Sequence, residues 1–466
     1  MTRPRPTWRG APRPATALAA LVFLAPTPTA ASAQQAPYGI EYDCLSCGGT
    51  PRFWVALGQT IGVNVGLNLF NRIVNGGEFA VGIGSWRRNL RDGWEFDDNN
   101  FGMNQFAHPY NGAVYFNAAR SNGYDFWSSI PFTALGSFLW EYFGERHRPA
   151  LNDFVSTTIG GIALGEATFQ LSSLLLDNTA VGRARTWREV AALAINPARG
   201  VNRLVFGDWK RLGPNPPTRR PELLSGFLQI GIDQIEDPAS SANGGVRPVL
   251  IFDAGYGDML TQPNLKPFDS FTFRAYLNAA DAPVIREVQA VGRLYARPLG
   301  STGRPRHAFV VTQNYDYVDQ PAYRLAGQSV EAGILSRFSV DRRLELRTAV
   351  TGRAIILGAV NSEFQRGPLR DYDFGPGLGF TITGTMREQG HSLLRLRYGL
   401  QWLHNVNGLA GDHLLRIGSV ELNLPVAGWF AIGGSALRYS RSSHYRTQPS
   451  SAVGSSHFLL HLTRRL

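Results

Sequence analysis

The feature that most constrains this chain is a two-residue alternation of apolar and polar side chains that recurs through its C-terminal half. Between Leu394 and Trp402 every second residue is apolar or aromatic, whereas Arg395, Arg397 and Gln401 occupy intervening positions. Successive side chains of a β-strand point to opposite faces, so such a run predicts a strand with one apolar and one polar face. The same alternation appears in residues 271–278, 287–297, 329–338 and 344–351.

These alternating runs are about ten residues long, which is the length that a tilted strand needs to cross a bilayer. An apolar face toward lipid and a polar face toward a hydrated lumen are typical of outer-membrane barrels, which in bacteria have an even number of strands, and we predict about twelve in residues 222–466. The candidate strands begin near Leu223, Val249, Phe271, Glu287, Ala308, Ser329, Leu344, Gly377, Leu393, Leu414, Trp429 and Ser456. The alternative is a soluble β-sandwich, which would need a second apolar sheet to cover the first.

The connections between these strands differ in length. Residues 341–343 form a tight connection, whereas residues 361–370 and 442–451 are long enough to be extracellular loops. Short turns at the periplasmic end and longer loops outside are the usual arrangement in such barrels.

Residues 53–210 show helical patterns instead, with about three apolar, Gly-rich helices, and the whole chain is therefore predicted to be of the α+β class. Residues 53–71 carry no charge, and glycines recur there every four residues, at Gly58, Gly62 and Gly66. A line of small residues on a helix lets another backbone approach closely. Asn64, Asn68 and Asn71 form a second, polar line on the same helix.

A second helix is predicted to begin at Ser129-Ile130-Pro131, since a hydroxyl residue caps a helix well and Pro suits its first turn. A third helix is predicted to begin after Asn152 and to carry Gly161 and Gly165 on one face. We expect these helices to form a plug in the lumen or a cap on the periplasmic side of the barrel. They carry amides and Glu166, which lipid would penalise in a membrane-spanning helix.

The N-terminus has the pattern of a secretory signal peptide at residues 1–33. Several arginines precede an apolar run at residues 15–25, and Ala31-Ser32-Ala33 is a small-residue cleavage site. We therefore predict export, with the outer membrane of a Gram-negative bacterium as the destination. Residues 34–52 would form a short exported N-terminal segment.

The two cysteines of the chain, Cys44 and Cys47, lie in that exported segment. A C-x-x-C pair can be a redox centre, half of a zinc site or a short disulfide. An oxidising compartment favours the local disulfide.

The formal net charge of +11 does not indicate nucleic-acid binding. The basic residues are nearly all arginines, and they are spread along the chain instead of forming one basic stripe. An Arg-lined lumen, or contact with the anionic headgroups of membrane lipid, explains them better. We therefore expect membrane lipid as a partner and no nucleic acid, and the oligomeric state stays open.

Chemistry-bearing residues are densest in the helical region. The candidate catalytic residues are His108, Glu141, Glu145 and Asp153, because a histidine beside carboxylates can perform acid–base catalysis or hold a divalent metal. The candidate ligand-binding residues are Tyr110, Asn111, Arg120 and Glu166. We assign no metal and no cofactor from the sequence.

A structural interpretation of the same residues remains open. Arg120 would then pair with Glu141 or Glu145, Asp153 would cap a helix, and His108 would fix a turn by a hydrogen bond. Such pairing is what buried polar groups require in any packed helical region.

Four segments of this region carry a resemblance to a known family. They read HPYNGAVYFNAARSNGY, GSFLWEYFGE, NDFVSTTIGGIALGE and Asn196-Pro197. Over roughly residues 85–180, with Asn196-Pro197 downstream, the chain resembles an uncharacterised bacterial family, domain of unknown function 3943. The resemblance implies no mechanism.

Three functions follow from these observations. The first is an outer-membrane barrel with a helical plug or cap that passes or binds a lipidic or small polar ligand. The second is a lipid-acting hydrolase that uses His108 with the carboxylates of Glu141, Glu145 and Asp153. A serine nucleophile would require His108 to meet Ser121, Ser128 or Ser129. The third is a structural anchor for an envelope partner.

Overall fold

A computed structural model describes residues 43–74, 76–216, 219–236, 245–260, 266–278, 283–300, 306–320, 323–364, 370–388 and 391–465. The predicted signal peptide and residues 34–42 of the exported segment lie outside these residues. At the start of the described chain, Cys44 and Cys47 form a disulfide with Cα atoms 5.3 Å apart.

The C-terminal half forms a closed antiparallel barrel of twelve strands in chain order, in which β1 also pairs with β12. The predicted α+β class and strand number are confirmed. The strands are β1 Leu224–Glu236, β2 Val246–Tyr256, β3 Phe271–Asn278, β4 Ile285–Leu299, β5 His307–Gln320, β6 Tyr323–Ser339, β7 Leu344–Asn361, β8 Tyr372–Glu388, β9 His391–His404, β10 Gly411–Ala427, β11 Phe430–Tyr445 and β12 Ser451–Arg465.

The two ends of the barrel are named here by one pair of connections each. The end at which β1 begins and β12 ends, called the turn end, carries the short connections 340–343 and 428–429. The opposite end, called the loop end, carries the longer connections 362–371 and 405–410. The lengths overlap, however, because the fourteen-residue connection 257–270 lies at the turn end and the two-residue connection 321–322 lies at the loop end.

The outer face of the wall is apolar and largely uncovered from β8 through β12 to β1. On β8, for example, Leu378, Phe380 and Ile382 are 61%, 37% and 46% exposed. These residues occupy the alternate, apolar positions of the strand, which the sequence pattern predicts to face lipid. An aqueous solvent would not favour so wide an apolar band, whereas hydrocarbon would.

At one level of the barrel the inner face is filled by its own side chains. Tyr323 of β6 stacks on Tyr439 of β11 with ring centroids 4.4 Å apart, although these strands lie five positions apart around the barrel. Contacts between such distant strands are made across the lumen. The apolar layer around the two rings consists of Val318, Leu325, Ile355, Val360, Leu403 and Leu415.

Ion pairs occupy other levels of the lumen. Arg353 contacts Asp316 at 2.6 Å and also Glu331. Arg274 contacts Asp253 at 3.1 Å, and its charge also acts on Glu421 of the distant strand β10. The predicted Arg-lined lumen is therefore neutralised by acidic partners in the wall.

The helical region contains more helices than the three long apolar ones predicted. They are α1 Phe53–Val74, α2 Ile83–Asp92, α3 His108–Arg120, α4 Phe126–Leu139, α5 Leu151–Val155, α6 Gly161–Leu175, α7 Gly182–Ile195 and α8 Pro197–Val205. Single π-helical turns precede α3 at Met103–Ala107, follow α4 at Trp140–Gly144 and join α5 to α6 at Ser156–Gly160. Helices α2 and α8 are short, with ten and nine residues, and α2, α7 and α8 are not among the three long apolar helices predicted.

The helical region packs along the outer wall of the barrel, so the expectation of a plug in the lumen is wrong. The Gln313 amide donates to the Ile159 backbone oxygen (3.0 Å), and the Tyr315 hydroxyl donates to that of Gln105 (2.7 Å). Gln313 pairs with Val330 on the same outer face as the exposed Ile334. The physical reason is that wall side chains already occupy the lumen.

The docking surface also extends beyond a cap at the turn end. Tyr372, which begins β8 at the loop end, donates its hydroxyl to the Asn99 backbone oxygen at 2.9 Å. Phe101 packs edge-on against the same Tyr372 ring. The helical region therefore lies lengthwise along the wall and covers part of the face that the sequence pattern assigned to lipid.

Two predicted helix starts are wrong by a few residues. Helix α4 begins at Phe126 because the Asp125 carboxylate accepts from the Ser128 backbone N–H (2.7 Å), so Asp125 is the N-cap rather than Ser129. Asn152 lies inside α5, where its amide oxygen accepts from the Asp97 backbone N–H at 3.0 Å. Asn152 therefore ties two segments together instead of capping a helix.

The two glycine lines have different outcomes. A Cβ on Gly161 would lie 2.5 Å from the Gly112 Cα, so α3 and α6 meet backbone to backbone. In contrast, a Cβ on Gly58, Gly62 or Gly66 would meet no atom of the described residues within 4 Å. Helix α1 packs instead through its polar line, which includes the buried Asn64.

Candidate functional site: a buried histidine–carboxylate cluster

Three of the four candidate catalytic residues come together in the helical region. His108, Glu141 and Asp153, called here the His108 cluster, offer donor atoms that all lie within 4.8 Å of one another. Each of these residues is at most 6% exposed. They come from three elements: the start of α3, the π turn after α4, and α5.

Local helix irregularity positions each member of the cluster. The His108 backbone N–H donates to the Met103 oxygen, five residues back, which closes the first π turn. Glu141 lies within the second π turn, and Asp153 lies shortly before the third. Single π turns add a residue to the helical register and are frequent at functional sites. The convergence of three of them at the His108 cluster therefore supports its choice as the candidate site.

The imidazole of His108 has a different neighbour on each side. Its Nδ1 lies 3.3 Å from the Thr157 hydroxyl, and its Nε2 lies 3.7 Å from Asp153 Oδ2. The other Asp153 oxygen accepts from the Asn152 side-chain amide at 2.8 Å. The ring and the carboxylate are thus both held in orientation, but the gap between them is longer than a hydrogen bond.

Glu141 has one satisfied oxygen and one unsatisfied oxygen. Its Oε2 accepts from the Ala150 backbone N–H at 2.8 Å, whereas its buried Oε1 has no hydrogen-bond partner among the described residues. Leaving a buried acceptor unsatisfied costs about 1–3 kcal/mol, and more for a charged group.

Two further carboxyl groups surround the cluster. Asp97 lies close enough to Asp153 to raise the pKa of that carboxyl, and it accepts from the Asn99 backbone N–H at 3.1 Å. The carboxylate of Glu145, the fourth candidate catalytic residue, accepts from the Trp140 indole N–H at 2.7 Å and repels Glu141. Four carboxyl groups are therefore gathered around one imidazole.

Burial opposes charge throughout the cluster. Desolvation raises the pKa of Glu141 and of Asp153 well above the usual range, and the nearby carboxylates raise both further. Desolvation also lowers the pKa of His108 to about 4. These groups therefore resist ionisation unless a compensating charge enters.

Arg120 does not provide that compensating charge, so its predicted pairing with Glu141 or Glu145 is wrong. Its guanidinium makes two hydrogen bonds with the buried carboxylate of Glu166, at 2.7 and 3.1 Å. His108 and Arg120 occupy opposite ends of α3, about 18 Å apart by helical rise. The Arg120–Glu166 pair is thus a separate feature that joins α3 to α6.

The four candidate ligand-binding residues are therefore not gathered at one place. Tyr110 and Asn111 lie in the first turn of α3, where the Tyr110 ring stacks on Phe106 and is 39% exposed. Arg120 and Glu166 lie at the far end of that helix.

The serines proposed as nucleophiles are placed away from His108. Ser121 follows the far end of α3, and the Ser129 hydroxyl donates to the Asp125 backbone oxygen. The hydroxyl that contacts His108 belongs to Thr157, which sequence reasoning missed. Its spacing of four residues from Asp153, on one helical face, was the signal that could have found it.

The chain is similar to known proteins in two of its parts, although none of the curated proteins matches it. Solved structures with a related barrel include the outer membrane channel DcaP of Acinetobacter baumannii, at 9% identity and a TM-score of 0.23, covering 52% of this chain and 96% of that one. The KdgM porin has 8% identity and a TM-score of 0.21, covering 51% and 98%. With scores this low, the barrel assignment rests on the strand pairing and not on these matches.

The second match concerns the helical region. Residues 93–198 match the family described as Domain of unknown function (DUF3943), which confirms the resemblance found in the sequence. All members of the His108 cluster, together with Asp97, Glu145 and Thr157, lie within these residues. The part of the chain that resembles this family is thus the part that holds the buried polar site.

Proposed function

We propose that this protein is exported to the outer membrane of a Gram-negative bacterium, where its barrel anchors the helical region and the helical region binds a small polar ligand. The barrel would not serve as an open pore. The observation that carries this proposal is the contact of Tyr323 with Tyr439 across the lumen, which leaves the buried polar cluster outside the barrel as the better candidate for function.

Planar-bilayer recording tests the closed lumen. We expect the wild-type protein to be silent and a Tyr323→Ala/Tyr439→Ala variant to conduct, because the two aromatic rings that meet across the lumen are then removed. Tyr398→Ala, on the exposed outer wall, is the matched control and should stay silent. Steady wild-type conductance would contradict the proposal.

Membrane lipid is the expected partner of the bare outer wall. A groove of about 380 Å³ lies there, where the small residues Gly434 and Ala436 leave space between Leu422 and Leu460. The lining of the groove is apolar and lies on the lipid-facing side of the strands, and both properties suit an acyl chain.

A lipid-acting hydrolase is the second candidate, favoured by one contact. Thr157, His108 and Asp153 lie in the order of a nucleophile, a base and an orienting carboxylate. Thr157 is only 2% exposed, so a substrate would need the helices to open. Hydrolysis of a fluorescent ester lipid that is lost in Thr157→Val and kept in Thr168→Val would favour this candidate, and no hydrolysis by the wild type would exclude it.

A further inference from the structure

We propose that the His108 cluster binds one divalent transition-metal ion, with zinc the favoured metal, through His108 Nε2 and the carboxylates of Asp153 and Glu141. This inference rests on the proposed function only in making the helical region the ligand-binding part of the protein. It names the ligand of that region.

The spacing of the donor atoms fits a metal centre. Zinc lies about 2.0–2.2 Å from nitrogen and oxygen ligands, so two ligands of a tetrahedral ion are about 3.4 Å apart. His108 Nε2 and Asp153 Oδ2 are 3.7 Å apart, close to that value and longer than a hydrogen bond. Small side-chain rotations would bring all three donors, now within 4.8 Å, to bonding distance.

Further carboxyl groups surround the proposed ligands. Asp97 and Glu145 both lie near Glu141 and Asp153. Arg370 of the barrel approaches this segment, but it contacts the Asp98 carboxylate at 3.0 Å and the Asp97 backbone oxygen at 3.2 Å. A bound divalent ion would be the largest local charge and would stabilise the ionised carboxylates.

The unsatisfied oxygen of Glu141 is an independent indication of a ligand. Glu141 is 2% exposed, and its Oε1 has no hydrogen-bond partner among the described residues. Buried polar atoms in folded proteins are paired in the great majority of cases. A metal ion within the cluster would supply the missing partner.

The groups behind the donors resemble the supporting shell of metal sites. If His108 donates Nδ1–H to the Thr157 hydroxyl, the lone pair of Nε2 faces Asp153. The Ala150 backbone N–H orients Glu141, and the Asn152 amide orients Asp153. Such outer contacts fix the tautomer of a ligating histidine and the orientation of ligating carboxylates.

The donor set also narrows the choice of metal. One imidazole and two carboxylates suit zinc or manganese, whereas calcium and magnesium prefer all-oxygen sites. Three protein ligands leave a fourth zinc position for water or a small anion. The site would then be structural, or it would present a polarised water to a second, small polar ligand.

Zinc binding to the full-length protein, folded in detergent, tests the inference. We expect one zinc per chain by elemental analysis after dialysis, and at least a tenfold weaker affinity, by competition with a chromophoric chelator, in His108→Ala and Glu141→Gln. The matched control is His404→Ala, which removes a histidine 2.7 Å from Asp412 on an exposed part of the barrel. This variant should bind zinc as the wild type does.

A spectroscopic readout separates a ligand role from a folding role. Cobalt bound to the wild type should give tetrahedral visible absorption bands, and the near-isosteric Glu141→Gln variant should change their position or intensity while heat-modifiable gel migration shows a folded barrel. Unchanged bands in both Glu141→Gln and His108→Ala would overturn the inference.

The outcomes also separate this inference from the proposed function. A protein that is silent in bilayers and binds zinc no tighter than about 10 μM, a weak affinity for a buried site, refutes the metal site alone. A protein that binds zinc but conducts steadily keeps the metal site and refutes the closed barrel.

Discussion

Gly112 and Gly161 mark the place where the helical region leaves no room for a side chain. A Cβ on Gly112 would lie 1.8 Å from the Thr157 backbone oxygen. Thr157 in turn contacts His108. The contact between α3 and α6 therefore controls the geometry of the His108 cluster directly.

We expect Gly112→Ala to destabilise the helical region by about 1–3 kcal/mol or more, because the backbones of α3 and α6 must separate. Loss of helical circular dichroism on heating, compared with the wild type, measures the effect. Gly62→Ala is the matched control: its Cβ meets open space, and alanine is favoured over glycine in a helix by about 1 kcal/mol. Equal melting of the two variants would contradict the packing described.

The buried Arg120–Glu166 pair gives a second prediction for single residues. Removing one partner leaves an uncompensated buried charge, so Glu166→Ala should destabilise the helical region by about 3–5 kcal/mol. The Arg120→Met/Glu166→Leu double variant should lose less, because it leaves neither charge. Chemical denaturation followed by helical dichroism compares the two, and a double variant weaker than the single one would rule out this explanation.

The residue types of the candidate site could be predicted, but their arrangement could not. His108, Glu141 and Asp153 were identified because histidine and carboxylates were concentrated in one region. The π turns that bring them together depend on tertiary packing and leave no periodic trace. The same limit explains why Arg120 was assigned to the wrong carboxylate: its partner Glu166 lies on a helix whose register the third π turn sets.

Among whole elements, the strands were the most predictable. A strand with one face in a uniform apolar environment must alternate strictly, as in β9, so the number and order of the strands could be read directly. Helix α1 was less predictable because its polar side chains face the protein and its apolar side chains face outward. Its amides face inward, where Asn68 donates to the Gly144 backbone oxygen at 2.8 Å, while Val65 and Leu69 are each 53% exposed.

The outward-facing apolar side chains lead to a prediction for α1, the helix among the described residues that is long and apolar enough to cross a membrane. We expect its exposed face to contact lipid, because Val65, Phe70 and Ile73 would otherwise be exposed to water. A nitroxide label at Val65→Cys should be accessible to oxygen and shielded from a water-soluble nickel complex.

Two other positions calibrate that measurement. Leu378→Cys, on the bare barrel wall, should give the same lipid-like accessibility. Arg446→Cys, at the loop end, should give the aqueous pattern. A label at Val65 that resembles the one at Arg446 would place α1 outside the bilayer.

At the scale of the whole molecule, the position of the helical region could not be predicted from the sequence. An apolar strand face has the same pattern whether lipid or a packed helix covers it. Ala290 and Phe374, which lie in the cluster shared with the helices, are fully buried, whereas Leu378 on the same wall is 61% exposed. Only the three-dimensional contacts distinguish these environments.

Docking on the wall leads to a prediction about the assembled molecule. Tyr315 and Tyr372 both pack against the helical region and donate hydroxyl hydrogen bonds to its backbone. The Tyr315→Ala/Tyr372→Ala variant removes two large buried contacts. Truncating one buried aromatic side chain to alanine costs about 3–5 kcal/mol of stability. We therefore expect the helical region to detach transiently and to be cleaved by added protease much faster, while the barrel stays resistant.

Tyr398→Ala truncates a tyrosine that no helix covers and should leave cleavage unchanged. If all three proteins were cleaved at the same rate, the wall would not hold the helical region. If zinc protected the wild type but not a His108→Ala variant from the same protease, metal binding and docking would be parts of one assembly.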